Sequence, residues 1–193
     1  MRKIISFMHV SLDGYVAGPN GELDWIQINP ELFDVVEKRI GGTDTALYGR
    51  MTYELMESYW PTAADQPNPT KHDIEHSKWY SKAHKIVLSK TLNESDLTNT
   101  TILSDNLTDK INAIKQSRNR VSDEILLFGS PTATHALMQL GLIDGFWLFV
   151  NPIILGQGMP LFADVKDQLK LDLLHTHQFN CGVMELSYMV NRE

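Results

Sequence analysis

Two glycine-bearing stretches carry residue types that hold anions. In residues 124–140, EILLFGSPTATHALMQL, apolar Ile125, Leu126, Leu127 and Phe128 give way to Gly129 and Ser130. Pro131 suits the first position of a helix, with Ser130 as its N-cap. Ala133, Leu137 and Leu140 give that helix an apolar face. Backbone N–H groups at a helix start have no partner within the helix and attract anions. The same pattern occurs earlier, where Ala46-Leu47-Tyr48 runs into Gly49-Arg50-Met51-Thr52 and a second helix begins. Either stretch alone also reads as an ordinary strand–helix connection. Together the turns could hold the phosphates of one nucleotide between them.

Other reactive side chains are less organised. His72 and His76 stand four apart, as a helical metal pair would, but no third ligand follows at a sensible spacing. A surface helix is the expectation there. His175 and His177 share one strand face and are expected at the surface, so no metal is expected at either pair. Cys181 lies in a turn with no cation beside it to activate the thiol. No Ser/His/Asp or Cys/His arrangement has convincing spacing.

The elements that must position these residues follow from periodicity. Strands are expected at 3–10, 45–48, 85–88, 101–103, 125–128 and 145–154, with a hairpin of 171–179 and 183–190 turning on Asn180-Cys181-Gly182. Helices are expected at 29–40, 52–59, 73–83, 106–118 and 131–140. Asn29-Pro30-Glu31 reads as cap, first helical residue and first-turn acid. Pro61, Pro67 and Pro69 are expected to make the next connection a loop. Residues 11–25 form a long glycine-rich loop, a length more often functional than idle. Strands alternating with helices, then a terminal hairpin, imply a mixed sheet with helices on both faces. In such sheets ligands sit beyond the C-terminal strand ends, here Ser11, Tyr48-Gly49-Arg50, Ser89-Lys90 and Phe128-Gly129-Ser130.

Composition bounds the rest. The 193 residues, 42% hydrophobic and 21% charged, suit one globular domain over 1–193. The net charge of −7 argues against nucleic acid, whose binding rests on cationic contacts to phosphate. A single cysteine excludes an intrachain disulfide and fits a cytoplasmic protein. Residues 146–155 are apolar but too short to span a membrane. Phe146–Val150 is apolar on both faces, so either helices cover both or one face meets a second subunit.

Four stretches in order resemble a known family: SLDGYVAGPNGELDW (11–25), YGRMTYE (48–54), LLFGSPTATHAL (126–137) and NPIILGQGMPLF (151–162). The chain resembles the dihydrofolate reductase-like family. Within it, the chain is similar to stand-alone relatives of the C-terminal reductase domain of the bifunctional riboflavin-biosynthesis deaminase–reductase. The resemblance implies an α/β three-layer fold with a mixed, mostly parallel central sheet and a C-terminal antiparallel hairpin. It also implies a homodimer and NADPH as cofactor. Gly49, Arg50, Met51 and Thr52 lie where the family holds phosphates on a helix start. Gly129, Ser130, Pro131 and Thr132 lie at its pyrophosphate turn, and Ser89 and Lys90 where it meets the adenosine 2′-phosphate. Ala17 and Gly18 lie in the loop bordering the nicotinamide. Arg50 can fork onto a phosphate with two hydrogen bonds, and Lys90 supplies a point charge. The chain departs from the family at Ser130-Pro131, where further glycines are usual, and it has no zinc deaminase signature.

On the substrate side, Trp25 and Glu31 keep a spacing found in dihydrofolate reductases, where such a carboxylate anchors the pterin. Glu31 is equally a favourable first-turn acid. Asp13 and Asp24 are the other candidate acids: Asp13 also shapes a turn, and Asp24 faces either pocket or water. A proton donor among them would carry a pKa raised by burial. Tyr48 either lines the nicotinamide pocket or packs. The expected activity is an NADPH-dependent reductase, 5-amino-6-(5-phosphoribosylamino)uracil reductase-like or dihydrofolate reductase-like, reducing a C=N or C=O group of a pterin- or pyrimidine-like substrate. The alternatives are a nucleotide-binding or dimeric interaction protein without turnover, and dihydrofolate reductase itself.

Overall fold

Strand β1, Lys3–Ser11, is the strand on which the sheet closes. It lies between two strands formed far later in the chain, β6 (Glu124–Phe128) and β7 (Gly145–Asn151), and runs parallel to both. Lys3 pairs with Glu124 and Ile5 with Gly145. The structure is a computed structural model that describes residues 1–92, 97–117, 121–163 and 165–193.

Outward from β6 come β3 (Thr45–Gly49), β4 (His84–Leu88) and β5 (Thr100–Leu103), all parallel. On the other side β10 (Met184–Val190) pairs antiparallel with β7 and with β9 (Leu171–Gln178), giving the order β5-β4-β3-β6-β1-β7-β10-β9. This is the expected mostly parallel sheet with a terminal hairpin.

Alternation along the strands feeds two cores. Ile4, Met8, Leu47, Leu127, Phe146 and Leu148 pack against Ile111 of α4 (Leu107–Gln116) and Ala133 and Leu137 of α5 (Pro131–Gln139). Ile5, Tyr48, Phe128, Trp147 and Phe149 pack against three other helices. These are α1 (Pro30–Ile40), α2 (Arg50–Ala63) and α3 (Lys71–Tyr80), contributing Leu32, Val36, Ile40, Tyr53 and Tyr80. Phe146–Phe149 is therefore covered on both faces by its own chain, and its apolar character is used up without a second subunit. Each fully buried side chain of this kind contributes roughly 1.5–3 kcal/mol.

Capping sets the helix ends. Asn29 Oδ1 accepts from Leu32 N–H at 3.0 Å with Pro30 at the first position, as expected. Helix α2 is longer than expected and continues through Pro61. A proline there forfeits a single backbone bond close to the end of the helix. The Ser77 hydroxyl holds that end, donating to Trp60 O at 2.7 Å. Helix α4 ends at Gln116, and the expected end at Arg118 lies outside the described residues.

Two short strands escaped the periodicity. Within the expected loops, β2 (Tyr15–Ala17) and β8 (Met159–Pro160) form an antiparallel ribbon. A buried ion network locks the opposite rim of the sheet. Asp144 accepts from Ile4 N–H at 2.8 Å and pairs with Lys115 at 2.5 Å and Arg192 at 3.0 Å. Lys115 is only 4% exposed. No helix among the described residues is long and apolar enough to cross a membrane.

Candidate functional site

The C-terminal ends of β3 and β6 bring the two glycine turns into contact. Gly49 N–H donates to Ser130 Oγ at 2.8 Å. A Cβ added at Gly129 would stand 3.4 Å from Thr52 Cγ2, so the first turn of α2 packs on the β6–α5 turn. Ser130 is the N-cap residue of α5 as expected, with Pro131 at the first helical position, but it makes no side-chain cap. Its side chain caps nothing in α5, because Gly129 (φ +52) and Ser130 (φ +55) are both left-handed and swing the hydroxyl back onto β3. A left-handed serine costs about 1–2 kcal/mol, partly offset by this buried hydrogen bond. Gly129 N–H donates to Phe7 O at 3.0 Å, fixing the turn to β1. The first-turn N–H groups of Arg50, Met51 and Thr52, and of Thr132 and Ala133, have no acceptor within their helices. This donor set suits a diphosphate.

Cations flank this rim. Arg50 is 43% exposed, and its Nη1 donates to both carboxylate oxygens of Glu54 on its own helix at 2.8–2.9 Å. Lys90 is exposed just past β4. Ser89 Oγ accepts from Thr91 and Leu92 N–H at 3.2 and 3.0 Å, leaving its own proton to donate. Met51 is largely exposed. Ala17 and Gly18 are buried at the end of β2. The β2–β8 ribbon reaches α5 through His135, whose Nε2–H donates to Leu161 O at 2.8 Å.

Beside this rim, β1 runs on past its partner. Its pairing with β6 stops at Phe7, whereas pairing with β7 continues to Ser11. Phe7 and His9, on one face of this central strand, are only half-buried. Phe7 stacks on Trp147 with ring centres 4.4 Å apart, and His9 lies 5.2 Å from Phe149. Asn151, fully buried, accepts from Gln27 N–H at 2.8 Å and donates to Phe149 O at 3.0 Å. Its amide nitrogen is also 3.4 Å from His9 Nδ1, an arrangement that puts the neutral ring's proton on Nε2. Burial pushes the His9 pKa down to about 4.

Sequence reasoning missed His9. The available signal was a polar residue at an inward register of an otherwise apolar central strand. An imidazole proton NMR titration should place its midpoint near pH 4, well below the ordinary value of about 6.5. With the folded pKa depressed, the neutral ring stabilises the fold above about pH 6.5. That stability is lost as pH falls through about 4. His9→Gln should therefore lower the pH of acid unfolding, and an unchanged acid midpoint would contradict the assignment.

The expected acids behave differently from proton donors. Asp13 is exposed, and its carboxylate takes the Ser11 hydroxyl at 2.7 Å and the Leu155 and Gly156 N–H groups at 3.1 and 2.7 Å. The Ser11 hydrogen bond, together with those backbone donors, holds its pKa below the usual range, opposite to what a donor needs. Asp24 faces water. Glu31 is 40% exposed and clasps the hairpin turn, with Asn180 Nδ2 at 3.1 Å and His177 Nε2 at 3.5 Å. Trp25 is mostly buried and donates to Glu22 O at 3.0 Å. Tyr48 packs: it is fully buried against Phe128, and burial pushes its hydroxyl pKa up.

The surface expectation for His72 and His76 is corrected. Helix α3 turns both rings toward α1, where Glu37 supplies the third group that local spacing could not reveal. His76 is only 5% exposed, and burial pushes its pKa down. For Glu37, burial works to raise the pKa and is outweighed by the two histidines, leaving it below the usual range.

Comparison with known proteins agrees with this architecture. Residues 2–184 match the family model described as the RibD C-terminal domain. Protein YyaP of Bacillus subtilis (strain 168), itself uncharacterised, is 35% identical over 98% of this chain and 96% of its own length. A candidate riboflavin biosynthesis protein from Shewanella sp. PV-4 superposes with a TM-score of 0.72 at 24% identity, covering 98% of this chain and 99% of that one. Dihydrofolate reductase from Enterococcus faecalis, solved with NADP(H), superposes with a TM-score of 0.61 at 14% identity, covering 98% and 96%. The fold is thus dihydrofolate reductase-like, and the chain belongs to the RibD C-terminal domain family.

Proposed function

We propose that the protein is an NADPH-dependent reductase of a C=N or C=O group in a pterin- or pyrimidine-like substrate, ribosylated as in riboflavin synthesis. The observation that carries this reading is the contact between the two helix starts, made by Gly49 N–H on Ser130 Oγ. Family membership and the NADP(H) complex of the Enterococcus protein of the same fold support it.

The N–H groups of Met51, Thr52 and Thr132 would bind the phosphates. Arg50 would turn from Glu54 to the ligand, and Ser89 and Lys90 would meet the 2′-phosphate. Ala17 and Gly18 would border the nicotinamide, which when bound supplies a hydride. A flat heterocycle would lie against the half-buried Phe7 and His9 rings, with Trp25 at the loop side. Neutral His9 offers Nε2–H as a hydrogen-bond donor to the substrate. The reading includes a cytoplasmic homodimer. Edge strand β9 offers apolar surface for pairing at Leu173 and Leu174, which are 54% and 62% exposed.

A second reading, nucleotide binding without turnover, draws support from the acids: Asp13 is held ionised, Asp24 faces water and Glu31 is engaged at the hairpin. The Glu31 clasp also weakens the dihydrofolate reductase form. Calorimetric titration should give tighter binding of NADPH than NADH, and Arg50→Ala should weaken NADPH binding by ~1–3 kcal/mol. Equal affinity for the two nucleotides would overturn the cofactor assignment. Binding without loss of reduced-nicotinamide absorbance across pterin and pyrimidine substrates would select the second reading.

A further inference from the structure

Away from the sheet rim, three ligating side chains converge between α1 and α3. Nδ1 of His72 lies 3.0 Å from Glu37 Oε1, and Nδ1 of His76 lies 2.8 Å from the same oxygen. The three atoms all fall within 4.8 Å of one another. His72 and His76 sit one turn apart on α3. The helix start is fixed by a capping box, with Thr70 Oγ1 accepting from Asp73 N–H and the Asp73 carboxylate accepting from Thr70 N–H.

A hydrogen-bonded cluster accounts for only part of this geometry. His76 Nδ1 makes a good hydrogen bond to Glu37. His72 Nδ1 is fully buried and, though close, is misaligned for one, and it finds no other partner among the described residues. A buried ring nitrogen without a hydrogen bond costs about 1–3 kcal/mol, a penalty that a further ligand would remove. Metal bonds of ~2.0–2.2 Å meeting at 90–110° hold their donor atoms roughly 2.8–3.6 Å apart. The two histidine–carboxylate distances lie in that range.

The surroundings fix the rings. Phe33 stacks on His72 with centres 3.8 Å apart and planes 9° apart. Trp60 lies 3.9 Å from His76 and 5.2 Å from His72, and Trp79 lies 5.1 Å from His76. Glu37 also lines an open cleft of about 340 Å³ between α1 and α3, whose walls carry Asp34, Glu75 and Trp79 together with Lys38 and Lys71. The cleft opens to solvent on the Glu37 side of the cluster and leaves room there for water as a further ligand. The chain's charge of −7 favours a cation.

We propose that Glu37, His72 and His76 bind one divalent first-row transition-metal ion, Zn2+ foremost, and that this ion clamps α1 to α3. Two imidazole nitrogens and one carboxylate are a donor set that Zn2+ takes readily. The site is separate from the nucleotide rim and does not depend on the reductase reading.

The test is direct binding to the full chain after chelator dialysis. Calorimetry with Zn2+ alone, and Co2+ as a visible-absorption probe, should give one equivalent bound and a rise in Tm. His72→Ala and Glu37→Gln should each weaken Zn2+ binding at least 100-fold and abolish the Co2+ spectrum. His175→Ala should leave both unchanged. Circular dichroism and Tm without metal verify that each variant is folded, and His72→Gln replaces any that is not. Absence of Zn2+ binding by the wild type would overturn the proposal, as would affinity that survives in folded His72 and Glu37 variants.

Discussion

Gly49→Val is expected to weaken NADPH binding by roughly 2–4 kcal/mol, since each partly buried helix start contributes up to ~2. The conformation at Gly49 (φ −83, ψ 163) is one any residue adopts, so the requirement is for space. A Cβ there would stand 3.3 Å from Ser130 Cβ and Oγ and 3.5 Å from Ala133 Cβ. Alanine would need a shift of a few tenths of an ångström. The second branch of valine has nowhere to go, and it should push α2 off α5 and part the two sets of N–H donors. Overpacking of this kind costs about 1–3 kcal/mol of stability as well. Calorimetry and a thermal melt on the same sample separate the two effects. A folded Val variant with unchanged NADPH affinity would show that the two helix starts do not act on one ligand.

Asp144→Ala should destabilise the fold by about 3–5 kcal/mol, because it strands a buried lysine without its counter-charge. Lys115 is 4% exposed and would keep only a long contact of 3.4 Å to Leu142 O. Ile4 N–H, at the start of β1, would lose its acceptor, and Arg192 would lose its counter-charge while keeping its bonds to Gly141 O and Ile143 O. For a chain of this size the melting temperature should fall roughly 6–20 °C. A double variant with Lys115→Met should recover much of the loss, since an apolar replacement of both partners removes the stranded charge. A drop of under about 1 kcal/mol in the single variant would mean that solvent reaches Lys115.

What was legible in the residues follows the range of the forces involved. Alternation and helical period are local, so strands from Lys3 to Val190 and the Asn29-Pro30 helix start were readable. The two glycine turns were readable as strand-to-helix junctions, but the use of the Ser130 hydroxyl was not. Its target, Gly49 N–H, is 81 positions away and is reached only because two successive residues are left-handed. The same limit hid Glu37 from His76, 39 positions along the chain. It also hid the three long-range or local donors that make Asp13 a clasp, and the Asn180 amide that occupies Glu31. The β2–β8 ribbon is too short to show a period at all.

The placement of β1 has a consequence for how the chain acquires its shape. Strand β1 precedes both of its sheet partners in the chain, so during synthesis it has to wait for segments near residues 124 and 145 before either of its edges is covered. Non-local pairing of this kind folds slowly, and the loop-closing entropy comes before any reward. A nascent chain stopped before β6 would hold an apolar strand, IISFMHV, with no neighbour on either side. Synthesis is therefore a stage at which this strand is open to capture by chaperones or to aggregation.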